Sequence, residues 1–255
     1  RKAAPTAMAG PMGMTTIMGM SIPTVTAMDN APLNSGGLYR LLAWLSPSYP
    51  VGAFAYSHGI EWAVETGAVS DRDGLERWLR DLLAHGGAWS DAVLFAQAWR
   101  AAQAGDAATL SEINDLAVAL CPSLERRLET TAQGNAFLMA TRASWPWDEG
   151  PEPLSGDVAY PVAVAAATAG HGVGLEPALH AFIHAVAANL ISAGLRLVPL
   201  GQTDGQRALS ALEGDVARAA ETALAADISQ VGGCAFLSDV AAMRHETQYT
   251  RLFRS

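Results

Sequence analysis

The chain is 255 residues long, half of it apolar and 16% of it charged, a balance that supports a sizeable folded core and excludes a disordered polymer. Its formal charge of −9 repels phosphate backbones and argues against nucleic acid as a partner, and its one lysine, Lys2, leaves no residue for a P-loop or a Schiff base. The two cysteines, Cys121 and Cys234, lie outside any C-x-x-C spacing, so neither a disulfide framework nor a thiolate zinc site is expected, and a reducing cytoplasm is the simplest location.

Residues 1–35, rich in Met, Thr, Gly and Pro, read as disordered or leader-like, because Gly and Pro interrupt the apolar run an export signal needs. From Leu38 the pattern turns helical. Leu75, Trp78, Leu79, Leu82 and Leu83 recur at the spacing of one buried helix face, with Ser70 and Asp73 expected to cap its start and Gly86-Gly87 to end it. A second amphipathic stretch runs from Asp106, with Ile113, Leu116, Ala117 and Leu120 on one side, and closes at Cys121-Pro122; the next helix begins at about Ser123. A polar break from Trp145 to Gly156 is expected to be a loop within one domain. An alanine-rich segment (Val158 to Ala169), a helix with Pro177 in its first turn and a helix from about Thr203 follow. No alternating β-branched run signals a sheet, so the expected fold is all-α, a single globular domain of roughly ten helices. The most apolar stretch, Ala181 to Leu200, contains His184, Asn189 and Arg196, and no membrane span is expected.

Three segments carry functional information. In SPSYPVGAFAYSHGIE, from Ser46 to Glu61, two X-Pro steps make a rigid turn that gathers Tyr49, Phe54 and Tyr56 as contact anchors or as core rings, with His58 read as structural. In NLISAGLRLVPLGQTDGQR, from Asn189 to Arg207, Ser192, Ala193 and Gly194 allow close helix approach in a core or a dimer seam, and a buried Arg196 needs an acceptor. The ending MRHETQYTRLFRS mixes three arginines with Tyr249, Leu252 and Phe253, a composition suited either to ordering on a partner or to docking on its own domain. His180 and His184 lie at i and i+4 with His171 upstream, weak candidates for a metal site that lacks the Glu of H-E-x-x-H, and structural histidines are the favoured reading.

These segments resemble the signatures of the UreF-type urease accessory family. The first matches S-P-x-x-P-V-G-x-F-x-Y-S-x-G-[LI]-E through Ser46, Pro47, Pro50, Val51, Gly52, Phe54, Tyr56, Ser57, Gly59 and Glu61. The second is similar to A-x-x-R-L-x-P-L-G-Q-x-x-G-Q through Ala193, Arg196, Leu197, Pro199, Leu200, Gly201, Gln202, Gly205 and Gln206. The ending resembles R-H-E-x-x-Y-x-R-L-F-R-S, and a looser middle places Glu125, Arg126, Gln133 and Gly134 where the family has a Glu-Arg and a Gln-Gly pattern.

The resemblance covers about Leu38 to Ser255, so residues 36–255 are expected to form an all-helical domain of this family with a partner-binding tail. It implies a non-catalytic scaffold that dimerises, binds UreD (UreH in some organisms), recruits and gates the GTPase UreG, and serves GTP-dependent nickel delivery to apo-urease, with no tightly bound cofactor and only transient nickel. It implies partner-binding roles for Arg244, His245, Glu246, Tyr249, Arg251, Leu252, Phe253 and Arg254, joined by Pro47, Tyr49, Pro50, Gly52, Phe54, Tyr56, Ser57 and Glu61 of the first segment. Arg196, Gln202 and Gln206 are expected at a dimer or GTPase-facing surface. Arg126, Arg127, Arg196 and Arg207 are the arginines available to a GTPase transition state. The alternative is a small helical metallohydrolase built on His180 and His184.

Overall fold

The structure is a computed structural model and describes residues 33–150 and 153–255. The disorder expected over residues 1–35 therefore falls almost wholly outside the described residues. The described residues form eleven α-helices, two short 3₁₀ turns and no strand: α1 (Ser35–Trp44), α2 (Ile60–Glu65), α3 (Arg72–His85), α4 (Gly87–Ala104), α5 (Ala107–Ala119), α6 (Leu124–Ser144), α7 (Tyr160–Gly170), α8 (Leu175–Leu197), α9 (Gln202–Ala211), α10 (Glu213–Ala225) and α11 (Phe236–His245). The fold is all-α, as expected.

Local chemistry explains most boundaries. The α3 periodicity holds, with Leu75, Trp78, Leu79, Leu82 and Leu83 all buried. Its cap differs from expectation: Asp71, extended (φ −148°, ψ 177°) just before the first helical residue, is the N-cap and accepts a 2.7 Å bond from the Gly74 N–H. Asp106 and Ser123 cap α5 and α6 in the same way. Leu120, expected on the buried side, is exposed, since α5 ends at Ala119 and the chain turns away toward Pro122. Pro177 lies in the first turn of α8, where its missing N–H costs nothing.

The core is built around α4 and α7. α7 is buried from Pro161 through Ala169, and such an all-round apolar helix is stable only when enclosed. It packs on α4, α6 and α8. Aromatic rings link the layers: Phe95 and Phe182 at 5.0 Å, Phe182 and Tyr160 at 5.7 Å, Tyr160 and Phe137 at 6.0 Å, and Phe137 and Trp44 at 6.1 Å. α8 is long and apolar enough to cross a membrane by length and composition, yet it is the spine against which α2, α3, α4, α7, α9 and α10 pack. Gly194 on α8 faces Leu75 of α3, so the small-residue stretch around it serves internal packing.

Candidate functional site

The segment after α11 folds back across the molecule, and its docking defines the site. Glu61, at the start of α2, accepts bonds from the Leu252 N–H (2.6 Å) and the Phe253 N–H (2.9 Å), and its Oε2 lies 3.1 Å from His245 Nε2. The other ring nitrogen of His245 lies 2.6 Å from Glu125 of α6. This fully buried ring therefore bridges two carboxylates, one at each nitrogen. Arg251 adds a 2.5 Å bond to the free oxygen of Glu125. Glu246 accepts from the Leu124 and Glu125 N–H groups at 2.7 and 3.4 Å, capping the start of α6 where the helix dipole favours negative charge. The Ser57 N–H and hydroxyl both donate at 2.6 Å to the Ser255 carbonyl, and Arg254 N–H donates at 2.8 Å to Ala55.

Beneath the tail lies a second carboxylate cluster centred on Glu129, which is 1% exposed. One oxygen meets His58 Nε2 at 2.6 Å and the Gln133 amide at 3.0 Å; the other meets Arg126 and, at 2.5 Å, the Ser255 hydroxyl. Burial alone would raise its pKa, but Arg126, His58 and the Ser255 hydroxyl outweigh it and hold the carboxyl at about 2. Burial, then the Arg126 charge, pushes His58 below its ordinary value, against the pull of Glu129, which leaves a neutral ring donating to a carboxylate. His58 holds a left-handed backbone (φ 55°), a conformation costly for a residue with a Cβ and here enforced by these contacts.

Asp91 of α4 faces the same Arg126 across a cleft of about 250 Å³ that lies between the 46–58 loop and α8. Burial pushes its carboxyl up to about 6 although Arg126 draws it down. α8 holds the loop from the other side. Asn189 donates to the Ala53 carbonyl at 3.3 Å, and Arg196 donates at 2.7 Å to the Phe54 carbonyl. The Arg196 guanidinium lies 3.6 Å from the Phe54 ring centroid and 4.2 Å from that of Phe253, so it stacks against loop and tail together.

The three information-bearing segments and the looser middle thus meet in one place. Their residues occupy different layers. Tyr49 points inward, 5.5 Å from Phe137, with its hydroxyl 2.7 Å from Thr141; Tyr56, Ser57, Glu61, His245 and Phe253 are buried; Gly52 takes the left-handed turn (φ 74°) that the loop requires. Pro47, Pro50, Phe54, Arg244, Tyr249, Arg251, Leu252 and Arg254 are exposed, and Glu246 is half-buried. Tyr49 and Tyr56 are therefore core rings in this conformation, and Phe54 alone of the three aromatics stands at the surface. Gln202 and Gln206 are exposed on α9, outside the network, Arg207 pairs with Asp204 at 3.1 Å, and Arg127 lies 3.5 Å from Asp157.

His171 packs edge-on against Trp44 at 5.0 Å and holds the Ala167 carbonyl, whereas His180 and His184 are exposed on α8. Among the described residues no three His, Cys, Asp or Glu side chains gather as a metal site. Glu129 and Asp91 were not singled out from sequence, because a carboxylate at a helical position reads as solvent-facing. The faint signal was Glu125 and Glu129 one turn apart with Arg126 between them.

The UreF family model matches residues 69–213. A urease accessory protein UreF of Rhodopseudomonas palustris (strain HaA2) is 52% identical over 237 residues, covering 92% of this chain and 100% of that protein. A urease accessory protein UreF of Bradyrhizobium diazoefficiens is 51% identical over 235 residues, covering 91% and 97%, and one of Bradyrhizobium sp. (strain ORS 278) is 51% identical over 239 residues, covering 91% and 100%.

Proposed function

From the premise that this chain belongs to the UreF family of urease accessory proteins, factors in urease maturation and not enzymes, we propose that it is a scaffold that binds UreD (UreH) through its docked tail, recruits and gates the GTPase UreG, and so serves nickel delivery to apo-urease. The observation that carries this reading is an apolar surface at the tail. Leu124 and Leu128, one turn apart on α6, are 63% and 58% exposed, and Tyr249 and Leu252, in the tail that Glu125 and Glu246 pin to that helix end, are 102% and 65% exposed. Large apolar side chains on a rigid frame, bordered by Arg244, Arg251 and Arg254, have the composition of a protein-binding hot spot. The frame is held from beneath by buried carboxylates, so little ordering entropy is lost when a partner arrives.

Arg196 in this reading holds the Phe54 loop and the tail in place and is not a GTPase arginine. A homodimer in the cytoplasm belongs to the same proposal, as the form in which a scaffold would present two GTPase sites. The decisive experiment is capture of co-expressed UreD by the full chain and by Tyr249→Ala and Leu252→Glu, which alter exposed side chains and leave the buried network in place. Each is expected to weaken UreD capture at least about tenfold, as hot-spot truncations do, while melting temperature stays unchanged. Undiminished capture by the two combined would remove the tail from the interface, and capture of neither UreD nor UreG by the full chain would remove the scaffold reading itself.

A further inference from the structure

α8 carries one feature that neither the tail nor the cleft floor uses. His180 and His184 are exposed one turn apart, while Leu179, Phe182, Ile183 and Ala187 of the same helix are buried. Among the described residues neither imidazole takes part in a hydrogen bond, ion pair or ring contact. Each therefore has its ring nitrogens free for a ligand. The helix runs unbroken from Leu175 to Leu197, packed along its length, so the spacing of the two Cα atoms is fixed by the fold. Residues at i and i+4 have Cβ atoms roughly 5–6 Å apart and lean the same way along the helix. That separation lets two imidazoles close on one ion, and it is the spacing of the two ligands in H-E-x-x-H helices.

We propose that His180 and His184 form a two-imidazole chelate for a borderline divalent transition-metal ion, of the class of nickel, copper(II) or zinc. Imidazole nitrogen suits these ions, and calcium or magnesium, which require oxygen, are not expected to bind. With no third protein ligand gathered at the pair, the remaining coordination positions stay with water, which makes the site open and exchangeable. His184 also lines the cleft whose floor holds Asp91 and Arg126, so a bound ion would sit beside that opening. The chelate is separate from the tail surface, and capture of UreD through Tyr249 and Leu252 is read without added metal, so one can fail while the other stands.

The test is a titration of the full chain, carrying no polyhistidine tag, with nickel chloride and separately with zinc chloride, followed by calorimetry and by imidazole NMR. One ion per chain is expected, with the His180 and His184 resonances moving together and those of His171 and His245 still. His180→Ala and His184→Ala should each weaken binding by about tenfold or more, since each leaves one ligand where two acted at high effective concentration. Both positions are exposed, so the helical circular dichroism should not change. Absence of binding by the full chain, or affinity that is the same in the double variant, would overturn the chelate.

Discussion

Asp91 and Glu129 face the same arginine and are driven in opposite directions. Burial raises Asp91 to about 6 against the pull of Arg126, so the folded state holds its proton more tightly than the unfolded chain does. The penalty is absent at low pH, grows as pH climbs from the unfolded value toward about 6, and is complete at neutrality. Asp91→Asn is therefore expected to stabilise the protein by about 1–3 kcal/mol at about pH 7 and to leave it unchanged at about pH 4, measured by urea melts at both. An equal gain at both would assign the effect to packing. Glu129, held at about 2, contributes stability above its unfolded pKa that is lost as pH falls toward that value. Glu129→Gln should cost about 3–5 kcal/mol at neutral pH, because it strands the Arg126 charge, and the same melts would expose it. The sequence shows only the i,i+3 pairing of Arg126 with Glu129; His58 and Ser255 reach Glu129, and Arg126 comes to face Asp91, only through the fold.

Between helices, the tightest constraint lies at the start of α2. Gly59 has φ 78°, and a Cβ there would stand 2.6 Å from the Ala242 nitrogen of α11, against backbone that cannot turn aside. Gly59→Ala is expected to push α11 outward and cost about 1–3 kcal/mol, with faster hydrogen exchange over residues 236–255 and little change in α4 or α7. Exchange raised evenly throughout would argue against a local lever. At this scale the sequence was most readable where a pattern is purely local: the 3.6-residue period of α3, the starts of α5 and α6 at Asp106 and Ser123, the proline of α8. It was least readable where tertiary contact decides. Tyr49 and Tyr56 sit in a turn whose composition suits a binding loop, yet Tyr49 packs on Phe137 and bonds Thr141, and Tyr56 is buried. Of the tail's two readings, the structure shows docking on its own domain, with His245, Phe253 and Ser255 buried, and it leaves Tyr249 and Leu252 exposed.

Across the whole molecule, the tail joins parts of the chain that are far apart in sequence. Ser57 meets Ser255 across 198 residues, Glu61 meets Phe253 across 192, and Glu125 meets His245 across 120. The helical body, by contrast, includes neighbours joined by short turns, such as α3 with α4 and α4 with α5. Closing such long loops costs entropy that is recovered only when the final contacts form, so the body is expected to assemble first and the tail last. In stopped-flow experiments Ser57→Ala and Phe253→Ala should speed unfolding and leave refolding almost untouched, with φ-values below about 0.3, whereas values near one would place the tail in the folding nucleus. The same ordering run backwards makes the tail the segment that opens first from the native state, on a route that leaves the helical body intact. On the proposed function, a partner gripping Tyr249 and Leu252 would meet the protein at the latch of its own folding pathway, where a small pull would change the occupancy of an open form without unfolding the rest.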